Sequence, residues 1–388
     1  MNHIYEGKSM RNSKTLKIVV AAFAAALFVA QPASAGVNLT GAGATFPIPL
    51  LDACKAGYAA ASGNSYTYTG GGSGAGRSAS DKGIGDFNFS DTPHTAATRL
   101  ATVIHIPVVA APIAVMYKLN LTKTLNLSPA TVAGIFGGTI TMWNDPAIVA
   151  DNNRSITTVT YKKDKAGVVV KDSAGNPVVA STKTTKTYMT LPSKKITVIY
   201  RSDSSGTSGN FTNFLNGMAP SVWTKAGNNA FQTSFPGDLN AISNLGRVVG
   251  ASGSAAVSAL SAKTPYSVTY AEKNYAAANG LKVANIKNAV GNFQAPDAGG
   301  TSEFLGDATV DSSGFLAFNY QTKSPGAYPL GIVSYALVDT KTKNATEVKT
   351  FLNYILSPAC PKTDPSLEYT TITGKLLALD TAQIAKIG

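Results

Sequence analysis

Three times in this chain a run of strand-forming residues passes through a turn of Gly, Ser and Thr into a helix-forming stretch: "GAGATFP", "GGGSGAGR" and "SDSSGTSG". Strand, glycine turn and helix in repeated alternation restrict the chain to an α/β architecture, because parallel strands need a crossover and a helix supplies it. The first turn leads into "PIPLLDACKAGYAAA", a helix opened by proline. "SYTYT" and "DFNFSD" are short strands rich in β-formers. The turns also carry a chemical expectation. A helix N-terminus presents unpaired N–H groups and about half a positive charge, so it attracts anions. One such turn is an ordinary cap. Three in one chain, one of them entered by Arg201 at the end of the buried strand "KKITVIYR", point to an anion held between them. The planar fork of arginine donors suits that task.

The first 35 residues stand apart. Lys14 and Lys17 precede the apolar run "IVVAAFAAALFVA" and the small-residue stretch "ASA", which reads as a secretory signal peptide cut near Ala35–Gly36. The run is too short to span a bilayer. The expected mature protein is therefore periplasmic or secreted. Downstream, "IHIPVVAAPIAVMYKL" and "YPLGIVSYALVD" read as long buried strands. "SPATVAGIFGG" and "NDPAIVADN" read as helices capped by Ser128 and Asn144. "NFTNFLNGM", "TEVKTFLNYILSP" and "DTAQIAKIG" read as further helices, and the alternating segment from Thr157 to Thr190 as one or two β-hairpins.

Several functions are excluded by what the chain lacks. The formal net charge of +12 falls by three when Lys8, Arg11, Lys14, Lys17 and Glu6 leave with the leader. Much of the remainder is local: eight lysines face only Asp164 and Asp172 between Tyr161 and Lys195. Without a basic helix or aromatics interleaved with the cations, nucleic acid is not an expected partner. His94 and His105 alone remain for a metal or a catalytic triad, so neither is expected, and no cofactor is implied. "GGGSGAGRS" approaches a phosphate-binding P-loop, but Arg77 stands where that motif needs lysine. No G-x-S-x-G nucleophile elbow follows the leader. Cys54 and Cys360, exported as a pair, read as a disulfide if their segments meet.

In this order, "LTGAGATFP", "Y-x-G-x-G-S", "DF-x-x-SD" and "R-x-D-x-S-G-T-S" resemble the signature blocks of the PstS-type phosphate-binding proteins of bacterial ABC transporters, to which the DING proteins are related. The resemblance implies a two-lobe periplasmic binding protein fold (type II) with two crossover strands and an inserted β-hairpin region at about 155–190. It implies one lobe from residues 36–111 and 323–388 and a second from 112–322. The implied phosphate pocket is Thr45 and Phe46 from the first turn, Ser73 from the second, Asp91 as acidic acceptor, Arg201 as charged donor braced by Asp203, and Ser205, Gly206 and Thr207 at a helix start. The implied function is a monomeric, non-enzymatic protein that captures inorganic phosphate, with arsenate equally protonated, and delivers it to an inner-membrane ABC permease. Two readings compete: a secreted phosphatase, and an envelope or adhesive protein that binds anionic surfaces through its basic hairpin.

Overall fold

The computed structural model describes residues 36–165, 169–175, 177–311, 313–362, 364 and 367–388, without the side chains of residues 156–158. The leader expected at residues 1–35 lies outside the described residues. From Asn38–Gly43 (β1) the chain passes through the first glycine turn into Ile48–Ser62 (α1), then Ser65–Gly70 (β2), Ser73–Asp81 (α2) and Phe87–Ser90 (β3). β1 lies between β2 and β3 and runs parallel to both, as alternating strand, turn and helix require. Proline opens α1, and Gly63 closes it with a left-handed φ of 71°.

Val103–Tyr117 (β4) is followed by Asn126–Leu127 (β5), Pro129–Phe136 (α3), Pro146–Asn152 (α4), Ser155–Tyr161 (β6) and Val179–Lys186 (β7). Next come Thr197–Arg201 (β8), Gly206–Met218 (α5), Phe231–Ser234 (α6), Val248–Ala251 (β9), Ser254–Lys263 (α7) and Ser267–Glu272 (β10). The last part holds Asn274–Ala278 (α8), Lys282–Val283 (β11), Asn285–Lys287 (β12), Phe293–Gln294 (β13), Ala298–Gly306 (α9), Thr309–Val310 (β14), Leu316–Ala317 (β15), Gly331–Asp339 (β16), Ala345–Leu356 (α10) and Gly374–Ile384 (α11). Ser128 caps α3, accepting from Thr131 N. α4 is capped by Asp145 and not by Asn144: Pro146 fills the first helical position and pushes the residue before it into an extended conformation, the geometry a cap needs. The last helix begins at Gly374, earlier than "DTAQIAKIG" indicated.

The main sheet runs β2-β1-β3-β16-β4-β10-β8-β9, and β4 is its spine. All but one of its residues are buried, which explains the unbroken apolar run. Residues Val103 to Pro112 pair antiparallel with β16, and Ile113 to Tyr117 pair antiparallel with β10. The strand thus changes partner between Pro112 and Ile113. The chain entering β16 meets the same junction, where Ile113 N donates to Leu330 O at 2.8 Å and Tyr328 OH donates to Ile113 O at 2.7 Å. On the far side β8 is parallel to both β10 and β9.

β6 and β7 form a separate two-stranded antiparallel sheet, and every β7 side chain is exposed. Near the chain's first helix, the rings of Tyr58, Tyr66, Phe87 and Phe351 pack together, with centroids 4.3 Å apart for Phe87 and Phe351. This ties α10 to the β1–β3 side of the sheet. Cys54 in α1 and Cys360 beyond α10 are bonded, with Cα atoms 5.1 Å apart. No helix among the described residues is long and apolar enough to cross a membrane.

Candidate anion-binding site

Each of the three turns singled out in the sequence ends at the start of a helix, and the structure brings them together with a fourth. β9 passes through "SGS" into α7, the same strand–turn–helix pattern. α2 and α7 are capped by Gly72 and Gly253, residues with no side chain to satisfy the first amides of the helix. α5 is capped by Ser205, whose hydroxyl accepts from Ser208 N at 3.2 Å.

Ser73, Asp91 and Gly206 form the tightest knot. Ser73 Oγ accepts from Gly206 N at 3.0 Å and from Asp91 N at 3.0 Å, and lies 3.3 Å from Asp91 Oδ2. Residue 206 must be glycine here. A Cβ would sit 2.4 Å from Ser73 Oγ and 2.6 Å from Asp91 Cβ, so any side chain would wedge the α5 start away from the β3 end. Asp91, 3% exposed, also accepts from Ser334 Oγ at 2.7 Å, and its carbonyl accepts from Asn210 Nδ2 at 2.6 Å.

Arg201 leaves the end of β8 and is 1% exposed. Its Nε and Nη2 donate to Asp203 Oδ1 and Oδ2 at 2.7 and 2.6 Å, a two-pronged pair. Its Nη1 donates to Ser254 Oγ at 2.9 Å. Ser254 then links to the first turn: its Oγ lies 3.1 Å from Thr45 Oγ1, and its backbone N donates to the same oxygen at 3.3 Å. Asp203 Oδ1 also accepts from Gly253 N at 3.0 Å. Phe46, next to Thr45, is fully buried; its ring meets Tyr369 edge-on and its carbonyl accepts from Tyr369 OH at 2.6 Å, which fixes the turn. Thr207 Oγ1 donates to Glu272 Oε1 at 3.1 Å. All eight residues of the expected pocket and the bracing Asp203 therefore fall within one connected cluster.

Ser254, Glu272, Ser334 and Asn210 belong to it as well and were not read from the sequence. Ser254 had a signal, since "VVGASGSAAVSAL" repeats the pattern of the other turns. Glu272 ends buried β10 and Ser334 interrupts apolar β16, and neither has a local signature. Asn210 lies one helical turn past Gly206, facing the same end.

Arg201 and Asp203 neutralise each other before any ligand arrives. Burial works against the Arg201 charge, yet the Asp203 pair holds its pKa above the usual arginine value. Burial likewise favours the neutral form of Asp203, but Arg201 overrides it and keeps that carboxyl below the usual range. Asp91 is pushed up to about 7, first by burial, with the Glu272 charge adding and Ser334, Arg201 and Ser73 opposing. Glu272 is raised by burial against the pull of Arg201. The cluster thus offers oriented donors and one spoken-for cation, in place of a large positive field. His94 and His105 are engaged elsewhere: His94 Nε2 is 2.6 Å from Asp81 Oδ1, and His94 N donates to His105 Nε2 at 2.9 Å. Among the described residues no group of three or more His, Cys, Asp or Glu is placed to hold a metal ion.

Comparison with known proteins gives this geometry a setting. The chain is 33% identical over 287 residues to Phosphate-binding protein PstS3 of Mycobacterium bovis, a match covering 69% of this chain and 64% of that protein. It is 26% identical over 324 residues to Phosphate-binding protein PstS of Xylella fastidiosa, covering 82% and 76%. The chain therefore spans somewhat less than two thirds of the mycobacterial relative. Its fold matches a high-affinity periplasmic phosphate-binding protein solved with phosphate (PfluDING), with a TM-score of 0.64, 22% identity and coverage of 90% and 93%. It also matches a putative phosphate ABC transporter substrate-binding protein from Clostridium perfringens, with a TM-score of 0.56, 14% identity and coverage of 87% and 100%. The mixed α/β architecture is thus that of the two-lobe periplasmic binding proteins. A family model for the PBP superfamily domain matches residues 29–359, nearly the whole described chain. The chain belongs to the PBP superfamily.

Proposed function

We propose that this protein captures inorganic phosphate at the cluster around Asp91 and Arg201 and hands it to an ABC-transporter permease. The observation that carries the reading is a buried carboxyl, Asp91, knotted to the starts of α2 and α5 through Ser73 and Gly206, near an arginine that is paired with Asp203 and held by Ser254 at the start of α7. An isolated buried dianion costs many kcal/mol unless its oxygens find donors. Helix amides, hydroxyls and one guanidinium supply those donors, and the acid supplies an acceptor for a ligand proton. Phosphate carries such a proton near neutral pH and sulfate does not. Sites built around such a bond reject the ligand lacking it by factors on the order of 10⁴. Arsenate, protonated like phosphate, passes the same filter.

The two lobes of this reading are residues 36–111 with 323–388, and residues 112–322. The change of partner along β4 at Pro112 and Ile113 supports a boundary there. Thr45, Phe46, Ser73 and Asp91 fall in one lobe and Arg201 to Thr207 in the other, so closure of the lobes assembles the site and excludes water. Export by the 1–35 leader, action as a monomer and absence of catalysis complete the proposal. Protein purified without added phosphate, then denatured and assayed, is expected to release about one phosphate per chain. Release of none, with no uptake on titration, would overturn the reading. A secreted phosphatase would instead turn over a phosphomonoester, with or without divalent metal.

A further inference from the structure

Glu272 closes β10 inside the same cluster and is 1% exposed. Oε1 accepts from Thr207 Oγ1 at 3.1 Å and Ser254 also favours the charged carboxyl, whereas Oε2 is buried with no close hydrogen-bond partner among the described residues. An orphaned carboxylate oxygen at that depth is costly. It becomes less so if the group carries a proton, because a neutral acid sheds the charge that burial penalises. Every neighbouring element presents something to this carboxyl. β8 brings Arg201, α5 brings Thr207, and α7 brings Ser254. The end of β3 brings Asp91, α8 brings Tyr275, and the segment before α11 brings Tyr369. The next residue, Lys273, is paired with Glu368. Arg201 is the cation facing Glu272 from these elements, and Asp203 already holds it with two hydrogen bonds.

Thr207 makes the protonation state matter. A threonine hydroxyl has one proton to give and two lone pairs to receive with. If Glu272 is ionised, that proton is committed to Oε1, and Thr207 turns only lone pairs toward an incoming anion. If Glu272 is protonated, it donates to Thr207 Oγ1, and the hydroxyl proton is released to the anion.

Resting on the phosphate reading above, we propose that Glu272 is the proton-linked positioning residue of this site: anion capture takes up one proton at Glu272, which then donates to Thr207 and turns its hydroxyl proton onto the ligand. The proton comes from solvent, and no covalent bond forms or breaks beyond the new O–H. Two further consequences follow. Proton uptake spares the anion a place beside two ionised carboxyls, Asp91 and Glu272, whose shared cation, Arg201, is already paired with Asp203. Affinity must also fall as pH rises, because Glu272 then has to be reprotonated at increasing cost.

Calorimetric titration with inorganic phosphate, in buffers of differing ionisation enthalpy, reads the proton count directly. Wild type is expected to take up more protons than Glu272→Gln, by up to about one, and to lose affinity up to about tenfold more steeply per pH unit on the alkaline side. The glutamine amide donates to Thr207 at every pH, so the variant is expected to keep its affinity where wild type loses it. Glu272→Ala, which cannot donate, is expected to bind weakly throughout. A merely structural glutamate would not produce that rescue by glutamine. Thr207→Val deletes the relay oxygen and is expected to lower the proton count as well. Equal proton uptake in wild type and Glu272→Gln, or in wild type and Thr207→Val, overturns the inference alone. Failure of wild type to bind phosphate at any pH overturns the functional reading and the inference with it.

Discussion

Replacing Arg201 with alanine tests how the site is held together as well as what it binds. The guanidinium is 1% exposed and makes three hydrogen bonds, two to Asp203 at 2.7 and 2.6 Å and one to Ser254 Oγ at 2.9 Å. Without it, Asp203 keeps only the Gly253 amide from this network, at 3.0 Å, while its side chain is 10% exposed. Removing one partner of a buried pair costs ~3–5 kcal/mol of folding stability. A protein of ordinary stability, ~5–15 kcal/mol, survives that loss and remains measurable. Loss of the charged contact to a desolvated ligand should weaken binding by ~2–5 kcal/mol, or about thirtyfold to several-thousandfold. The stability cost should also depend on pH. Asp203 is held below its usual range in the folded protein, so its pairing stabilises above the unfolded carboxylate pKa and is lost as pH falls through the lowered folded value. The gap between wild type and Arg201→Ala should therefore narrow on acidification through the carboxylate range. Urea unfolding across that range and calorimetry with phosphate make the two measurements. A variant with wild-type affinity refutes the site assignment. A stability gap that is absent, or indifferent to acid, refutes the electrostatic account of the Arg201–Asp203 pair.

Three other changes probe separate parts of the account. The Cys54–Cys360 bond spans 306 residues of sequence, which in the chain-entropy model corresponds to about 5 to 6 kcal/mol as an upper guide; Cys54→Ser with Cys360→Ser should lower Tm markedly, and two free thiols in denatured, unreduced wild type would contradict the pairing. Asp380 is buried, neither carboxyl oxygen has a hydrogen-bond partner among the described residues, and burial pushes it up to about 8. Its raised folded pKa means stability is lost as pH rises from the unfolded carboxylate value through about 8, so Asp380→Asn should gain on wild type over that window; thermal melts showing a constant difference would refute this. Asp91→Asn keeps the shape of the side chain but can turn a donor to the ligand; it should narrow the preference for phosphate over sulfate more than it weakens phosphate binding, and full discrimination in the variant would reduce Asp91 to a structural acceptor.

The sequence carried the local grammar of this site better than its connections. Gly-rich turns between strands and helices are legible because backbone conformation and helix capping restrict residue choice locally; they marked the Ser205–Thr207 start, and with the family resemblance they led to Thr45 and Ser73. Arg201 was legible as a cation delivered at a strand end. Ser254 repeats the same grammar, but no strand-end cation or family signature block accompanies its turn. Glu272 and Ser334 could not be found this way. Glu272 is the one charged residue of β10 and Ser334 lies within β16, and the meaning of each arises only when its strand is laid beside distant elements. The antiparallel register of β16 on β3, with Tyr335 opposite Ser90, is what puts Ser334 on Asp91, and those two strands lie more than 200 residues apart in the chain. The cap of α4 was misplaced by one residue because both Asn144 and Asp145 are good caps, and Pro146 decides between them.

The central claim is that a buried acid selects a protonated oxyanion, and its most direct test is a paired titration of the wild-type protein with phosphate and with sulfate across neutrality. With Asp91 pushed up to about 7, it is ionised above that pH and accepts only from a ligand that has a proton to give. Below it, the carboxyl gains a proton of its own that sulfate can accept. The account predicts saturable phosphate binding at one site, negligible sulfate binding on the alkaline side, and a preference that relaxes as the solution is acidified through that value. Sulfate binding comparable to phosphate on the alkaline side would contradict it.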